Sequence, residues 1–154
     1  MERRKARRKQ RGKVRARLDR AKKDNAELLI EALDKAASLE SAHGLWADAT
    51  EHSKRALDER VAKYGEGSGE ASLGIVDLAA IHATFGDFEK AEKLFRQAVR
   101  VAEKACGPEC EALFMAYTGM QTYYQLTGNA AEAERYAEKT GEALPSARPS
   151  SPKQ

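Results

Sequence analysis

Few residues in this 154-residue chain are of types that do chemistry, and their spacing decides what each is for. Cys106 and Cys110 stand four apart with Gly107-Pro108 between them. Zinc and redox motifs hold their cysteines two residues apart, and neither a second cysteine pair nor a nearby histidine completes a metal site. Two free thiols are expected. The three histidines, His43, His52 and His82, fall at unrelated places, so no Ser/His/Asp or Cys/His set shares one face. His82 is expected to pack as a core imidazole. The glycines of Gly65-Glu-Gly-Ser-Gly69 lie in a turn, whereas a phosphate-cradling loop joins a strand to a helix. Acid pairs such as Glu132 and Glu134 suit an ordinary surface. The residues imply no catalytic role, no metal and no cofactor, and the chain is not expected to be an enzyme.

The densest chemistry is charge. Residues 1–24 hold 13 Lys and Arg against three acids, a net of +10, whereas the other 130 residues carry 14 basic and 21 acidic groups, a net of −7. Arg3, Arg4, Lys5, Arg7, Arg8, Lys9, Arg11, Lys13, Arg15 and Arg17 are the candidate contacts to nucleic acid or another polyanion. The segment has no aromatic residue, so contact is expected to phosphates rather than stacked bases. Nuclear import is a second use for such a run, and folding back on the acidic body is a third. Val14, Leu18 and Ala21 share a helical face, so residues 13–24 are expected to extend the first helix.

The elements that position these groups follow from punctuation. Gly44, Gly86 and Gly128 are 42 residues apart, and so are Gly65 and Gly107, which fall midway. Such glycines read as helix C-termini in the left-handed conformation. Apolar residues at three- and four-residue steps fill the intervals (Ile75, Leu78, Ala79, His82; Phe88, Ala91, Leu94, Phe95, Ala98). Asp87 and Asn129 are expected N-caps, with Asn129 and Glu132, and Asp24 and Glu27, as capping boxes, and Pro108 suits a first helical turn. Helices are predicted at 25–43, 46–63, 69–85, 87–105, 109–127 and 130–143. Composition agrees, with 42% hydrophobic but only 6% aromatic residues, and with three of the four prolines after position 144.

The run Leu78-Ala79, His82, Gly86, Phe88, Ala91, Phe95, Ala98 resembles the signature of tetratricopeptide repeats. The third copy keeps Tyr124, Gly128, Ala133 and Thr140, with Ala130 and Ala137 at two aromatic positions. The first keeps Ala37, Gly44, Trp46, Ala49 and Ala56, with Glu40 and Ser53 at two. The 42-residue length and Arg100-Val-Ala-Glu-Lys-Ala-Cys-Gly-Pro-Glu109 resemble the kinesin light chain type of repeat. The likeness covers residues 28–144.

The resemblance implies an all-α fold, a short right-handed α-solenoid of about three antiparallel helix pairs. A basic N-terminal arm (1–24) precedes the repeats (about 25–65, 66–107 and 108–144), and a disordered tail (145–154) follows. It also implies a groove on the first helix of each pair, at Leu73, Val76, Ala80, Ala83 and Thr84 and at Met115, Thr118, Thr122, Gln125 and Leu126. That groove would hold a protein or peptide, unless the chain's own tails or a second copy cover it. Glu31, Asp34, Ser38 and Ser41 would make one end acidic. Val76-Asp77 and Thr118-Gly119 replace the paired Asn of kinesin light chain repeats, so that backbone grip is missing. The expected function is a non-catalytic scaffold with an anion-binding arm. The alternative is a peripheral subunit of a ribonucleoprotein or ribosome. No segment reaches the ~20 apolar residues of a membrane span, and the chain is expected to be intracellular and soluble, in cytoplasm, nucleus or an organelle matrix.

Overall fold

The structure, a computed structural model, describes residues 1–143, apart from the side chains of Arg3 and residues 21–24. The expected disordered tail at 145–154 lies outside the described residues. Every regular element described is a helix: α1 (Glu2–Asp24), α2 (Ala26–Ala42), α3 (Trp46–Tyr64), α4 (Gly69–Phe85), α5 (Phe88–Ala105), α6 (Glu111–Thr127) and α7 (Ala130–Ala143). The chain divides into two compact units, Met1–Glu59 and Arg60–Gln154, so the division falls within α3.

The helix ends follow from local chemistry. Gly44, Gly86 and Gly128 all take positive φ, +70°, +89° and +79°. A side chain would clash with its own backbone there, which is why the 42-residue glycine period marks helix ends. After Gly86 the chain needs only Asp87 to start again, and that carboxylate accepts from the Lys90 amide. Ser68 caps α4, accepting from the Ala71 amide at 3.1 Å while donating to the Gly65 carbonyl at 2.7 Å. The glycines of residues 65–69 thus form a turn into a helix. Asn129 caps α7 through the Glu132 amide at 3.3 Å.

Five local expectations are corrected. α1 begins at Glu2 rather than near residue 13, and it does not run into α2. Asn25 breaks the helix with extended backbone (φ −166°, ψ 128°) and is the N-cap residue of α2, its side chain accepting from the Glu27 amide at 2.9 Å, whereas Asp24 is the last residue of α1. Gly107 does not take the left-handed conformation, because the residue before a proline is driven toward extended backbone. Pro108 consequently lies ahead of α6, which starts at Glu111 with Cys110 as its N-cap residue. Cys106 and Cys110 are not free thiols: they are joined in a disulfide across this turn, with Cα atoms 5.7 Å apart. Their four-residue spacing fits no metal motif, but α5 and α6 fold back on each other and bring the two ends of the five-residue turn within bonding reach.

In the first unit, Leu18 of α1 packs with Leu29 and Leu33 of α2 and Ala56 of α3, flanked by Val14 and Ala32. Across α2 and α3, His52 Nδ1 lies 2.7 Å from Glu40 Oε2. A half-buried hydrogen bond therefore holds the helices where the repeat signature asks for an aromatic at Glu40. In the second unit the small residues are the tightest contacts. Ala79, Ala91, Ala98 and Ala102 are fully buried, as are Ala112 and Ala116 or nearly so. Ser72 in α4 donates to the Ala98 carbonyl of α5 at 2.8 Å, buried, and so fixes the register of that antiparallel pair. His82 is buried with Nδ1 3.5 Å from Asp87 Oδ2, a core imidazole as expected.

Candidate partner-binding face

α4 and α6 lie side by side. A Cβ placed on Gly69 would come within 3.3 Å of the Ala112 Cβ, so the close approach at this end depends on two small residues. The helices are neighbours at an offset near 42 residues, which sets Leu73 near Met115 and Thr84 near Leu126 in height along the pair. What faces outward there is mixed. Ala80 and Thr84 on α4, and Met115, Thr122, Gln125 and Leu126 on α6, are exposed; Leu73 and Thr118 are half-buried. Leu126 keeps 60% of its surface in solvent. Met115 and Leu126, eleven residues apart, fall on one face of α6.

Two predicted groove residues do not belong to this face. Val76 and Ala83 are buried. Both lie one position off the outward row of Leu73, Asp77, Ala80 and Thr84, and the 100° turn per residue swings them into the helix contacts. The row includes residues that the resemblance did not supply. Asp77 is exposed and has Oδ2 3.8 Å from the Arg60 guanidinium at the end of α3. Glu70, Glu111 and Tyr64 join Leu73, Ser68, Gly69, Cys110 and Ala112 around a shallow pocket of about 310 Å³ at the N-terminal ends of the two helices. A second shallow pocket, about 420 Å³, opens between α6 and α7, where Gln125 meets Gln121, Tyr124 and Ala133. The first pocket is bordered by carboxylates and a disulfide. Among the described residues no three His, Cys, Asp or Glu gather as metal ligands would.

What holds the face from behind is an aromatic layer that the repeat signature gave only in part. Phe95 of α5 packs against Tyr123 of α6 with ring centres 6.2 Å apart, and Tyr123 contacts Tyr124 at 5.2 Å. Tyr124 stacks on Tyr136 of α7 at 5.8 Å. Polar ends of these rings meet charged groups of α5. The Arg96 guanidinium donates to the Tyr124 hydroxyl at 2.9 Å and to Glu92 at 2.7 Å, and the Tyr117 hydroxyl donates to Glu103 at 2.9 Å. Burial, with that hydrogen bond to Glu103 and the carboxylate's charge, pushes the Tyr117 phenol up to about 12. Burial likewise raises Tyr123 and Tyr124. The available signal was the seven-residue step from Tyr117 to Tyr124, which places both rings on one stripe.

Gly119 explains one departure from the kinesin light chain pattern. A Cβ there would lie 2.5 and 2.8 Å from two ring atoms of Phe95, itself buried. The position that would carry an amide side chain is instead used to admit a ring.

The cationic residues lie on α1. Arg4, Lys5, Arg7, Arg8, Lys9, Arg11, Lys13, Arg15 and Arg17 are exposed, and the side chain of Arg3 is not described. Arg11 is paired with Asp48 of α3 at 2.6 Å. Here the structure brings together ten sequence-predicted positions only in the sense that one helix carries them.

The tetratricopeptide repeat family model matches residues 70–145. No curated protein matches the chain. Among solved structures the chain is similar to BtubC (BKLC) from P. vanneervenii, with a TM-score of 0.70 and 20% identity over 93% of this chain and 57% of that one. It thus spans little more than half the length of that structure, and at this identity the likeness is one of fold. Period, buried small residues, glycine-ended antiparallel helices and family match agree: residues 70–145 are tetratricopeptide repeats.

Proposed function

We propose that this chain is a non-catalytic scaffold that holds a protein or peptide partner on the outward row of α4 and α6, while the basic helix α1 contacts an anionic partner. The observation that carries the first part is the pairing of exposed apolar side chains (Met115, Leu126, and half-buried Leu73) with carboxylates Glu70 and Glu111 on one row. Apolar anchors provide affinity, and the flanking charges select partners with complementary, basic residues. A peptide with one apolar stripe and Lys or Arg beside it suits the row.

The test uses the whole chain as bait at low and high salt, with captured proteins identified by mass spectrometry. A Leu73→Glu/Met115→Glu double variant, shown by circular dichroism to keep its helices, is expected to lose the captured proteins that wild type retains at high salt. Retention of the same set by that variant sinks the groove reading.

A further inference from the structure

We infer that α1 is a docking element for a nucleic-acid duplex, seated in a groove with phosphates on both sides of the helix. The inference deepens the reading of α1 as an anion contact and rests on it. Its starting point is how the charges are arranged. Between Arg4 and Arg17 nine Lys and Arg side chains are exposed, and no acid interrupts them. At about 100° per residue they leave no sector of the helix wider than roughly 80° without a cation. Arg4, Arg8 and Arg15 cover one side, and Lys9, Lys13 and Arg17 cover the opposite one.

That distribution selects among anionic partners. A membrane surface is flat and engages one face, and an interfacial helix carries an apolar face to bury. The stretch before Lys13 offers only Met1 and Ala6 as apolar side chains. An acidic protein surface also meets one side of a helix. Single strands are gripped by aromatic stacking, and α1 has no aromatic residue. A duplex groove surrounds its occupant with charge: a helix is about 10–12 Å across, the major groove of B-form DNA is about 12 Å wide, and phosphates border it on both edges. Among the described residues, Val14 and Leu18 in the C-terminal half of α1 pack against the apolar cluster, and Arg11 is paired with Asp48. The N-terminal turns of α1 therefore present cations without a competing core. With the contacts made to phosphates, binding would be independent of sequence and driven by counterion release.

The experiment titrates full-length chain into fluorescently labelled 25-base-pair DNA and RNA duplexes of arbitrary sequence, from about 50 to 300 mM salt, and into vesicles of 30% phosphatidylserine. Two variants divide the helix: Arg4→Gln/Arg8→Gln/Arg15→Gln and Lys9→Gln/Lys13→Gln/Arg17→Gln, with helicity checked by circular dichroism. With six or more phosphates neutralised, log K against log salt is expected to have a slope of about −5 or steeper. Each variant is expected to lower the slope's magnitude by about 3 and to weaken binding at least tenfold. Binding to the DNA duplex is expected to be tighter than to the RNA duplex, whose A-form major groove is too narrow to admit the helix, and tighter binding to RNA overturns the groove seating. A wild-type slope shallower than about −2, a loss confined to one of the two variants, or tighter binding to vesicles than to either duplex overturns the inference. Capture on α4 and α6 is read out separately at high salt, so failure of one assignment leaves the other standing or falling by its own assay.

Discussion

The two compact units solve the same packing problem with different materials. The first closes on a few aliphatic side chains, Leu18, Leu29 and Leu33 around Ala56, and ties α2 to α3 with the Glu40–His52 contact. The second closes on rings: Phe95, Tyr123 and Tyr124 fill the space that buried alanines leave between helices. Aromatic filling demands room, and Gly119 supplies it under Phe95. The difference teaches why the repeat signature is readable in one half and faint in the other. A polar pair can replace a ring at a helix contact, but it erases the pattern by which the contact is recognised. The family match at residues 70–145 falls within the aromatic unit.

Substitutions sharpen that contrast. The largest effect is expected at Leu33, which has no solvent exposure: Leu33→Ala should cost about 2–5 kcal/mol, because the thin aliphatic cluster has few atoms with which to fill the cavity. A urea melt showing a loss under 1 kcal/mol would mean that the first unit does not depend on this cluster. Next, Gly119→Ala should cost about 3 kcal/mol by driving a methyl group into the Phe95 ring. The cost should shrink when Phe95→Leu is added, and a purely additive double variant would contradict the contact. Gly86→Val should cost about 2 kcal/mol for a different reason. Its Cβ would meet nothing within 4 Å, but φ is +89°, so the penalty is backbone strain and not a blocked interhelix contact. Gly86→Asn, which tolerates that region, should recover much of the melting temperature, whereas Phe95→Leu should recover none.

In the first unit, Asn25→Ala should cost about 1 kcal/mol by removing the cap of α2, seen as faster amide exchange at Glu27. The smallest effect is the alkaline behaviour of the second unit. The Tyr117 pKa is raised from 10.0 to about 12, so the folded state holds that proton more tightly than the unfolded state. The resulting stabilisation is complete below pH 10 and fades as pH climbs through 12. Tyr117→Phe should flatten this decline in a pH series of melts; an unchanged series would show that the hydroxyl is not held by burial and Glu103.

The helices and their ends were legible in the sequence because their causes are local. Gly86 and Gly128 need no partner to adopt positive φ, and Asp87 and Asn129 cap the amides a few residues ahead of them. α4 runs from Gly69 to Phe85 as predicted. The errors came where a local signal competed with another. Asn25 outdid Asp24 as a cap one residue away, and Pro108 overrode the left-handed preference of Gly107. All positions of the candidate face came from the resemblance: Ala80, Thr84, Met115 and Leu126 are exposed, whereas Val76 and Ala83 are buried, because resemblance gives a register and packing decides which side of the helix is covered.

By itself the sequence determined helix content, repeat period and the division into a basic segment and an acidic body, since each depends on residue type and spacing along one chain. Only the tertiary structure decided that Cys106 and Cys110 bond, that Gly119 exists for Phe95, and that Tyr117 keeps its proton to about pH 12. Those properties arise where residues distant in sequence, or the two ends of a folded turn, meet at a distance that only packing sets.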